Sequence, residues 1–258
     1  MKKIYLFFTI LASFTLLNCT NSKSKSKVES RDEIETKGEV EAKDKSTVGS
    51  KITYTASEQI TIYEQDWGID IEVTSHKFKN GVGEIIFSDT IRSIPIRAFL
   101  DCEALRTISL PNTIESIDLW AFGNCSNLQE ITIPTSVTYI DVGAFGICSS
   151  LTNITIHDKV TFIGHEAFCD CENLKTVTLC GYVENIGCNV FAGCDNLEAI
   201  YCASKTPSII TKMTIDGLIG DFKLNKNCKI YVPRESVGAY KKAKEWSRFA
   251  KNIIGHDF

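Results

Sequence analysis

Residues 94–116 read IPIRAFLDCEALRTISLPNTIES, and this arrangement of apolar residues returns four more times at a spacing of 23 residues. A repeat of this length indicates a solenoid, in which each coil buries its apolar side against its neighbours. The isoleucine, phenylalanine and cysteine columns of the repeat are Ile94, Ile117, Ile140, Ile163 and Ile186; Phe99, Phe122, Phe145, Phe168 and Phe191; and Cys102, Cys125, Cys148, Cys171 and Cys194.

Each unit contains one short strand. Apolar residues alternate at the end of the stretch Leu105–Leu110, so Ile108 and Leu110 are expected to point into the interior. Pro111 and Pro134 end the strand in two of the units, and the phenylalanine rings fill the interior. We therefore predict a mainly β fold, poor in helix: a solenoid of 23-residue rungs whose strands stack into a parallel sheet along one face.

The repeat unit Ile-x-x-x-Ala-Phe-x-x-Cys-x-x-Leu-x-x-Ile-x-Ile-Pro-x-x-Val resembles that of the BspA-like leucine-rich repeat family of cell-surface lipoproteins, also called leucine-rich repeat type 5. The resemblance covers residues 85–208 and extends to Cys228–Pro233 and Trp246. It implies a leucine-rich repeat fold and a role in adhesion to host extracellular-matrix proteins or to other cells.

The repeat needs a cap at each end, because a solenoid exposes its core there. We predict an N-terminal β cap and a degenerate first rung within residues 51–84, and the solenoid itself at residues 85–208. In the cap we expect strands at Ile52–Tyr54 and Ile60–Tyr63, with Trp67, Ile69 and Ile71 covering the first rung. Four residues keep the repeat phase one period early and predict a degenerate first rung: Val82, Ile85, Phe87 and Ile91.

Residues 209–258 predict a C-terminal strand–helix cap. The strand is expected at Cys228–Val232, and a helix is expected after Pro233. Apolar residues recur through it at intervals of three and four: Val237, Tyr240, Ala243, Trp246, Phe249 and Ile253. We interpret this stripe as a lid on the last rung, with a partner-binding helix as the alternative.

The N-terminal residues predict an export signal. A basic start is followed by an apolar run at residues 4–17, which is shorter than the roughly 20 residues that span a bilayer and is typical of a signal peptide. The segment Leu16-Leu17-Asn18-Cys19 resembles the bacterial lipobox. We predict that residues 1–18 are removed and that Cys19 is lipidated; an ordinary cleaved signal with an incidental Cys19 is the alternative.

Residues 19–50 contain equal numbers of basic and acidic residues and no aromatic residue. Such a segment cannot bury enough apolar surface to fold, so we predict a disordered polar tether after the lipidated cysteine. We expect an exported protein, lipid-anchored to the bacterial cell envelope at the outer membrane and exposed at the cell surface. A structural or scaffold lipoprotein of the periplasm or outer membrane is the alternative.

The column of Cys102, Cys125, Cys148, Cys171 and Cys194 predicts a buried ladder of thiols that donate weakly to the backbone of a neighbouring turn. A zinc site could use His165, Cys169 and Cys188, but no Cys-x-x-Cys pair supports it, so we predict neither metal nor cofactor. Export would permit disulfides among the cysteines outside the column: Cys169, Cys180, Cys188, Cys202 and Cys228.

The sequence favours binding over catalysis. It has no Gly-x-Ser-x-Gly, His-Glu-x-x-His or phosphate-binding glycine motif. Asp118 and Asp141 are aligned by the repeat itself, so they need no catalytic explanation. A net charge of −4 gives no reason to expect nucleic-acid binding. We predict a non-enzymatic, monomeric protein-binding module.

The best candidate for its binding surface is the column Ser116, Tyr139, Phe162 and Asn185. We expect Tyr139 and Phe162 to be adjacent and exposed, near Trp120 of the preceding rung. Exposed aromatic residues on a rigid face are typical interface anchors. We therefore predict a protein-contact patch of Trp120, Tyr139 and Phe162; the alternative is that they are partly buried edge residues.

Overall fold

The computed structural model describes residues 49–62, 67–68, 70–211, 214–215, 218–219 and 223–258. Residues Ser46–Phe258 form one compact unit. The predicted signal peptide, Cys19 and the tether up to residue 48 lie outside the described residues, as do Tyr63 and Ile69 of the predicted N-terminal cap.

The described residues form a mostly β solenoid of about seven turns with rungs of about 23 residues, which confirms the predicted fold class. In chain order the strands are β1 (Lys51–Ala56), β2 (Val73–Lys79), β3 (Val82–Phe87), β4 (Ser93–Ile94), β5 (Leu105–Ser109), β6 (Ser116–Ile117), β7 (Glu130–Ile131), β8 (Tyr139–Ile140), β9 (Asn153–Ile156), β10 (Phe162–Ile163), β11 (Thr176–Leu179), β12 (Asn185–Ile186), β13 (Ala199–Cys202), β14 (Ile209–Ile210), β15 (Thr214–Ile215), β16 (Leu218–Ile219), β17 (Lys229–Pro233) and β18 (Ile253–His256). The α-helix α1 spans Val237–Lys242, between 3-10 turns at Arg234–Ser236 and Glu245–Phe249.

Two sets of strands join successive rungs. The strands β4, β6, β8, β10, β12 and β14 pair in parallel as the lateral sheet. The longer strands form an N-terminal sheet in the order β2-β3-β1-β5-β7 and a C-terminal sheet in the order β9-β11-β13-β17-β18. The sequence predicted only the face that bears the longer strands. It missed the lateral sheet because a strand of two residues is too short to show alternation.

The phenylalanine column forms a single file through the core, as predicted. Centroids of successive rings lie 5.0, 5.2, 5.3 and 6.0 Å apart, with interplanar angles between 3° and 20°. Each of the five side chains is at most 2% exposed. The rungs therefore share one continuous interior, which fixes the direction in which every other column points.

Each of the five repeats turns sharply at two positions with left-handed backbone, one on each side of the Ala-Phe step. The φ values of both columns lie between 53° and 74°. In the second column Asp, Asn and Gly, which tolerate this conformation, fill four of the five positions, and Ile147 is the exception. The two columns are Arg97, Trp120, Gly143, Glu166 and Asn189; and Asp101, Asn124, Ile147, Asp170 and Gly193.

The N-terminal cap is built differently from the prediction. Strand β1 lies between β3 and β5 and pairs antiparallel with both. Strand β3 therefore does not stack directly on the first full repeat. Ile85 and Phe87 nevertheless point into the core, with 0% and 1% exposure. The repeat phase specifies which side chains are buried, but it does not specify which strand is the neighbour.

Trp67 covers the end of the core, as predicted. Its ring centroid lies 4.6 Å from that of Phe87 and 6.0 Å from that of Phe99. Ile71 is partly buried against the same core. The N-terminal side of the solenoid is thus closed by aromatic packing.

Two other cap segments differ from the prediction. Residues 60–62 form no strand, although Ile60 is buried. Ser50, which the sequence assigned to the tether, is buried and belongs to the fold. Its carbonyl oxygen accepts the N–H of Phe87 at 3.0 Å, and its Oγ accepts the N–H of Ile91 at 3.0 Å. These bonds tie the start of the cap to the first turn.

The C-terminal helix is shorter than predicted. Helix α1 ends at Lys242, because Ala243 has an extended backbone. Ile253, predicted to belong to the helical stripe, lies in β18, which pairs in parallel with β17. This pairing gives the last segment main-chain hydrogen bonds with the sheet, which a longer helix would not form.

The lid interpretation of this segment is confirmed by its packing. Tyr240 and Trp246 are buried, and Val237, Ala243 and Phe249 pack against the core. The Tyr240 hydroxyl donates to the carbonyl oxygen of Ser204 at 3.0 Å, and Nε1 of Trp246 donates to that of Ser208 at 2.8 Å. The lid is thereby fixed to the chain that leaves the last repeat.

Candidate protein-binding surface

Tyr139 and Phe162 are the outward-facing residues of β8 and β10. Because strand residues alternate, the neighbouring Ile140 and Ile163 point inward and are fully buried. The register pairs Tyr139 with Phe162, and their rings stack 4.6 Å apart at 5°. The structure therefore brings the two predicted residues together. Tyr139 is 36% exposed and Phe162 is half-buried, so the pair is only partly accessible.

Trp120 does not join this pair as an exposed ring. It is 8% exposed, and its indole lies against Gly123, Gly143 and Gly146. The expectation that Trp120 is an exposed anchor is wrong. Trp120 has a left-handed backbone, and the glycines leave space for its ring, features that the apolar repeat pattern does not encode.

Two carboxylates flank the aromatic pair. Asp118 and Asp141 follow the inward residues of β6 and β8, which pair with each other in register. Adjacent strands lie about 4.8 Å apart, so the two carboxylates are neighbours along the stack. Asp118 Oδ1 accepts from the Ser116 hydroxyl at 2.7 Å, and Asp141 Oδ1 accepts from the Tyr139 hydroxyl at 3.2 Å.

The two carboxylates make this part of the lateral sheet electronegative. Partial burial raises the pKa of Asp118, and the nearby charge of Asp141 adds to this effect. Partial burial and the same Asp141 carboxylate raise the pKa of Tyr139 to about 12. Within the described residues, neither Asp118 nor Asp141 forms an ion pair. The site therefore carries negative charge that no described residue neutralises through an ion pair.

The cysteine column is structural. Cys125, Cys148, Cys171 and Cys194 each donate from Sγ to the carbonyl oxygen of the phenylalanine 26 residues earlier, at 3.1–3.2 Å. Cys102 donates in the same way to Thr61. The predicted ladder of buried thiols that bind a neighbouring turn is confirmed.

Burial makes these thiols poor nucleophiles. It raises the pKa of Cys102, where Asp101 contributes, and of Cys148 to about 12 in each case. Outside the column, Cys169, Cys188, Cys202 and Cys228 are buried and Cys180 is exposed, and all five are free thiols. The described cysteines are therefore not bridged, and burial disfavours the reactive thiolates of Cys102 and Cys148.

The histidines do not form a catalytic or metal-binding group. His76 hydrogen-bonds with the Tyr54 hydroxyl at 2.7 Å, and His165 Nδ1 accepts the N–H of Cys188 at 2.9 Å. His256 lies in β18, at the other end of the solenoid from His76. In the described part of the chain, no three His, Cys, Asp or Glu side chains are placed to hold a metal ion.

A polar groove lies where the longer strands are interrupted. Strands β7 and β9 end different sheets and do not pair with each other. An open groove of about 1120 Å³ lies at this split, and His157 Nε2 donates to the carbonyl oxygen of Pro134 at its edge. Glu130 and Lys175 place one charge of each sign in its lining, which contains no Phe, Tyr or Trp. The uncharged polar residues of the lining can form hydrogen bonds: Gln129, Thr132, Thr135, Ser150, Thr152, Asn153, Thr155 and Asn173.

A second aromatic cluster lies in the C-terminal sheet, on strands β13, β17 and β18. Tyr201 and Tyr231 stack 4.8 Å apart, and His256 meets both rings edge-on. Phe258 is 57% exposed, and its ring lies 5.0 Å from that of His256. Sequence analysis missed this cluster. Aligning Cys228–Val232 with the repeat strands would have placed Tyr231 beside Tyr201.

Comparison with known proteins agrees with this architecture. Residues 71–198 match the family model of the BspA type leucine rich repeat region, in six copies. The repeat region of this chain belongs to the BspA-type leucine-rich repeat family. A comparison with curated proteins finds no match. Leucine-rich repeat proteins of this kind are generally non-catalytic, and their fold generally mediates protein–protein interaction.

Solved structures of bacterial leucine-rich repeat proteins are similar to the chain. The T. pallidum leucine rich repeat protein is 30% identical, with a TM-score of 0.43, over 44% of this chain and 53% of its own. The pneumococcal vaccine antigen PcpA is 20% identical, with a TM-score of 0.52, over 65% of this chain and 40% of its own. A Bacteroides ovatus leucine-rich repeat protein is 26% identical, with a TM-score of 0.40, over 61% of this chain and 45% of its own.

The chain therefore spans about half the length of the T. pallidum protein that it matches. The likeness to PcpA supports the solenoid fold alone. Among the helices of the described residues, none has the length and apolar character needed to cross a membrane.

Proposed function

We propose that this BspA-type leucine-rich repeat protein is an exported lipoprotein that binds a partner protein through its lateral sheet and carries out no chemistry of its own. The signal-like residues 1–18 and the lipobox-like Cys19 support export and anchoring to the bacterial envelope. The membership of the repeat region in a family whose fold generally mediates protein contacts supports the binding role.

The stacked pair of Tyr139 and Phe162 is the observation that carries the proposal. Both rings stand on strands that are hydrogen-bonded on each side, so they are already ordered before a partner arrives. A preorganised aromatic surface loses little conformational entropy on binding. Partly exposed aromatic residues on such a surface are the usual anchors of protein interfaces.

The binding role can be tested with the full chain and a panel of immobilised fibronectin, laminin and collagen, together with a library of random 12-residue peptides displayed on phage. We expect the affinity of the double variant Tyr139→Ser/Phe162→Ser to fall at least about tenfold for those ligands that the wild-type protein binds. The matched control is Tyr201→Ser/Tyr231→Ser, which makes the same change in the other stacked pair. Equal affinity of the lateral variant and the wild type would remove the proposal.

The location can be tested separately by protease shaving of intact cells. Digestion of the domain on intact cells supports surface display, whereas protection until the outer membrane is opened supports the alternative of a periplasmic scaffold. The variant Cys19→Ser is expected to leave the membrane fraction, because it lacks the thiol that would carry the lipid. A Cys19→Ser protein that stays in the membrane fraction would contradict lipid anchoring.

A further inference from the structure

The aromatic pair of the lateral sheet ends at Tyr139, because the next residue of its column is a serine. Phe162 stacks on one side of the Tyr139 ring. On the other side, the register places Ser116 beside Tyr139. The serine side chain is small, and its hydroxyl is directed to Asp118 at 2.7 Å. The second face of the Tyr139 ring therefore looks along the stack into the space above Ser116.

That space is bordered by carboxylates. Asp118 lies two residues beyond Ser116 on one rung, and Asp141 lies two residues beyond Tyr139 on the next. The chain supplies no cation to either of them within the described residues. Arg92, which precedes β4, is already paired with Glu115 at 2.5 Å. The two aspartates, unpaired among the described residues, are therefore open to a cation from another molecule.

We propose that the lateral sheet binds an arginine side chain of the partner protein, whose guanidinium stacks on the free face of Tyr139 and pairs with Asp118 and Asp141. This proposal rests on the protein-binding function proposed above and names the chemistry of the partner. An aromatic face attracts a cation through its quadrupole. Two neighbouring carboxylates attract the same cation through charge-assisted hydrogen bonds.

Arginine fits this surface better than lysine. The guanidinium is planar, so it stacks on the Tyr139 ring while its N–H groups lie in the same plane and reach the carboxylates. An ammonium group is compact and strongly hydrated, and it cannot stack in this way. Burial and, to a lesser degree, the charge of Asp141 raise the pKa of Asp118. A cation bound between the two aspartates relieves the repulsion between them.

The experiment uses phage-displayed random 12-residue peptides and the full chain. Peptides are selected on the wild type and then tested on Tyr139→Ser/Phe162→Ser and on the double variant Asp118→Asn/Asp141→Asn. The matched control is Glu172→Gln/Asp195→Asn, which removes two negative charges from exposed residues outside the lateral sheet. We expect the peptides that depend on the aromatic pair to be enriched in arginine.

Synthetic peptides then test the guanidinium directly. Replacement of the key arginine by citrulline keeps the shape and removes the charge, so we expect at least about a tenfold loss of affinity by calorimetry, with a smaller loss for lysine. The variant Asp118→Asn/Asp141→Asn should lose as much affinity for the arginine peptide, and the control variant should bind that peptide as tightly as the wild type does. The citrulline comparison needs only the peptides that depend on the aromatic pair, so it tests the guanidinium even if Asp118→Asn/Asp141→Asn fails to fold.

The two proposals fail differently. Peptides that need Tyr139 and Phe162 but bind equally well with citrulline would overturn the arginine proposal and leave the protein-binding function standing. If no selected peptide depends on the aromatic pair, both proposals are overturned. Peptides that depend on Tyr201 and Tyr231 would instead move the binding surface to the C-terminal cluster.

Discussion

The indole of Trp120 lies directly against the backbone of Gly143, one rung further along the solenoid. A Cβ atom added at Gly143 would come within 2.3 Å of Cε2 of the indole. The two residues occupy the same left-handed position of successive repeats, with φ values of 55° and 62°. The indole can be buried at this position because Gly143 on the next rung has no side chain that would occupy the same space.

The substitution Gly143→Ala is therefore expected to destabilise the protein by about 2–4 kcal/mol. A left-handed alanine costs about 1–2 kcal/mol, and displacing the buried indole adds an overpacking penalty. The free energy of unfolding from urea titration measures the effect. The control is Gly238→Ala in helix α1, where no atom lies within 4 Å of the added Cβ. There we expect unchanged or slightly higher stability, and a Gly143→Ala protein as stable as wild type would contradict the packing described.

Ile147 is a further position where the repeat departs from backbone preference. Its φ is 63°, in a column otherwise filled by Asp, Asn and Gly. We expect Ile147→Asn to stabilise the protein by about 1 kcal/mol and to raise Tm by about 2–4 °C, because asparagine tolerates the left-handed region far better than a β-branched residue. The reciprocal variant, Asn124→Ile, should lower Tm by a similar amount. A lower Tm for Ile147→Asn would show that the half-buried isoleucine packs better than its backbone conformation suggests.

Cysteine accessibility gives a third prediction. Among the ten described cysteines, Cys180 is the exposed one, and all ten are free. Iodoacetamide should therefore modify Cys180 in the native protein, and the other nine should react only on unfolding, as peptide mass mapping can establish. Rapid native labelling of Cys148 would contradict the buried ladder.

The rate of this labelling also depends on charge. Partial burial raises the pKa of Cys180, and the negative charge of Asp158 raises it further. Because the thiolate is the reactive form, Asp158→Asn should lower the pKa and increase the labelling rate at a fixed pH near 8. Asp195→Asn, which removes a charge from an exposed residue of a different turn, serves as the control. An unchanged rate in Asp158→Asn would exclude this electrostatic effect.

The lateral surface can be examined without a partner through the titration of Tyr139. Partial burial and Asp141 raise its pKa to about 12. In a pH titration followed by absorbance, the part of the change that is missing in Tyr139→Phe reports the ionisation of this phenol. The variant Asp141→Asn should shift that ionisation to lower pH. The native state holds this proton more tightly than the unfolded chain, whose phenols titrate near 10. The resulting stability is present below about pH 10 and is lost as the pH rises toward 12.

The sequence predicted the file of phenylalanines, the thiol ladder and the adjacency of Tyr139 and Phe162. Each of these follows from the 23-residue period, because residues one period apart must be neighbours in a stack. The same period predicted that Ile85 faces the core. It did not predict that β1 lies between β3 and β5, since an antiparallel strand from outside the repeat leaves the inward-facing pattern unchanged.

What the sequence alone determined is the direction in which each side chain points, because burial of an apolar residue is a property of its position in the period. The tertiary structure alone decided how much of each outward side chain remains accessible. Trp120 and Tyr139 both belong to the repeat, yet the glycines around Trp120 allow its ring to be buried, whereas Ser116 leaves one face of Tyr139 open. The exposed fraction of a side chain depends on the size of its neighbours on adjacent rungs. These neighbours come together only in the folded solenoid, so the sequence of a single repeat does not reveal the exposure.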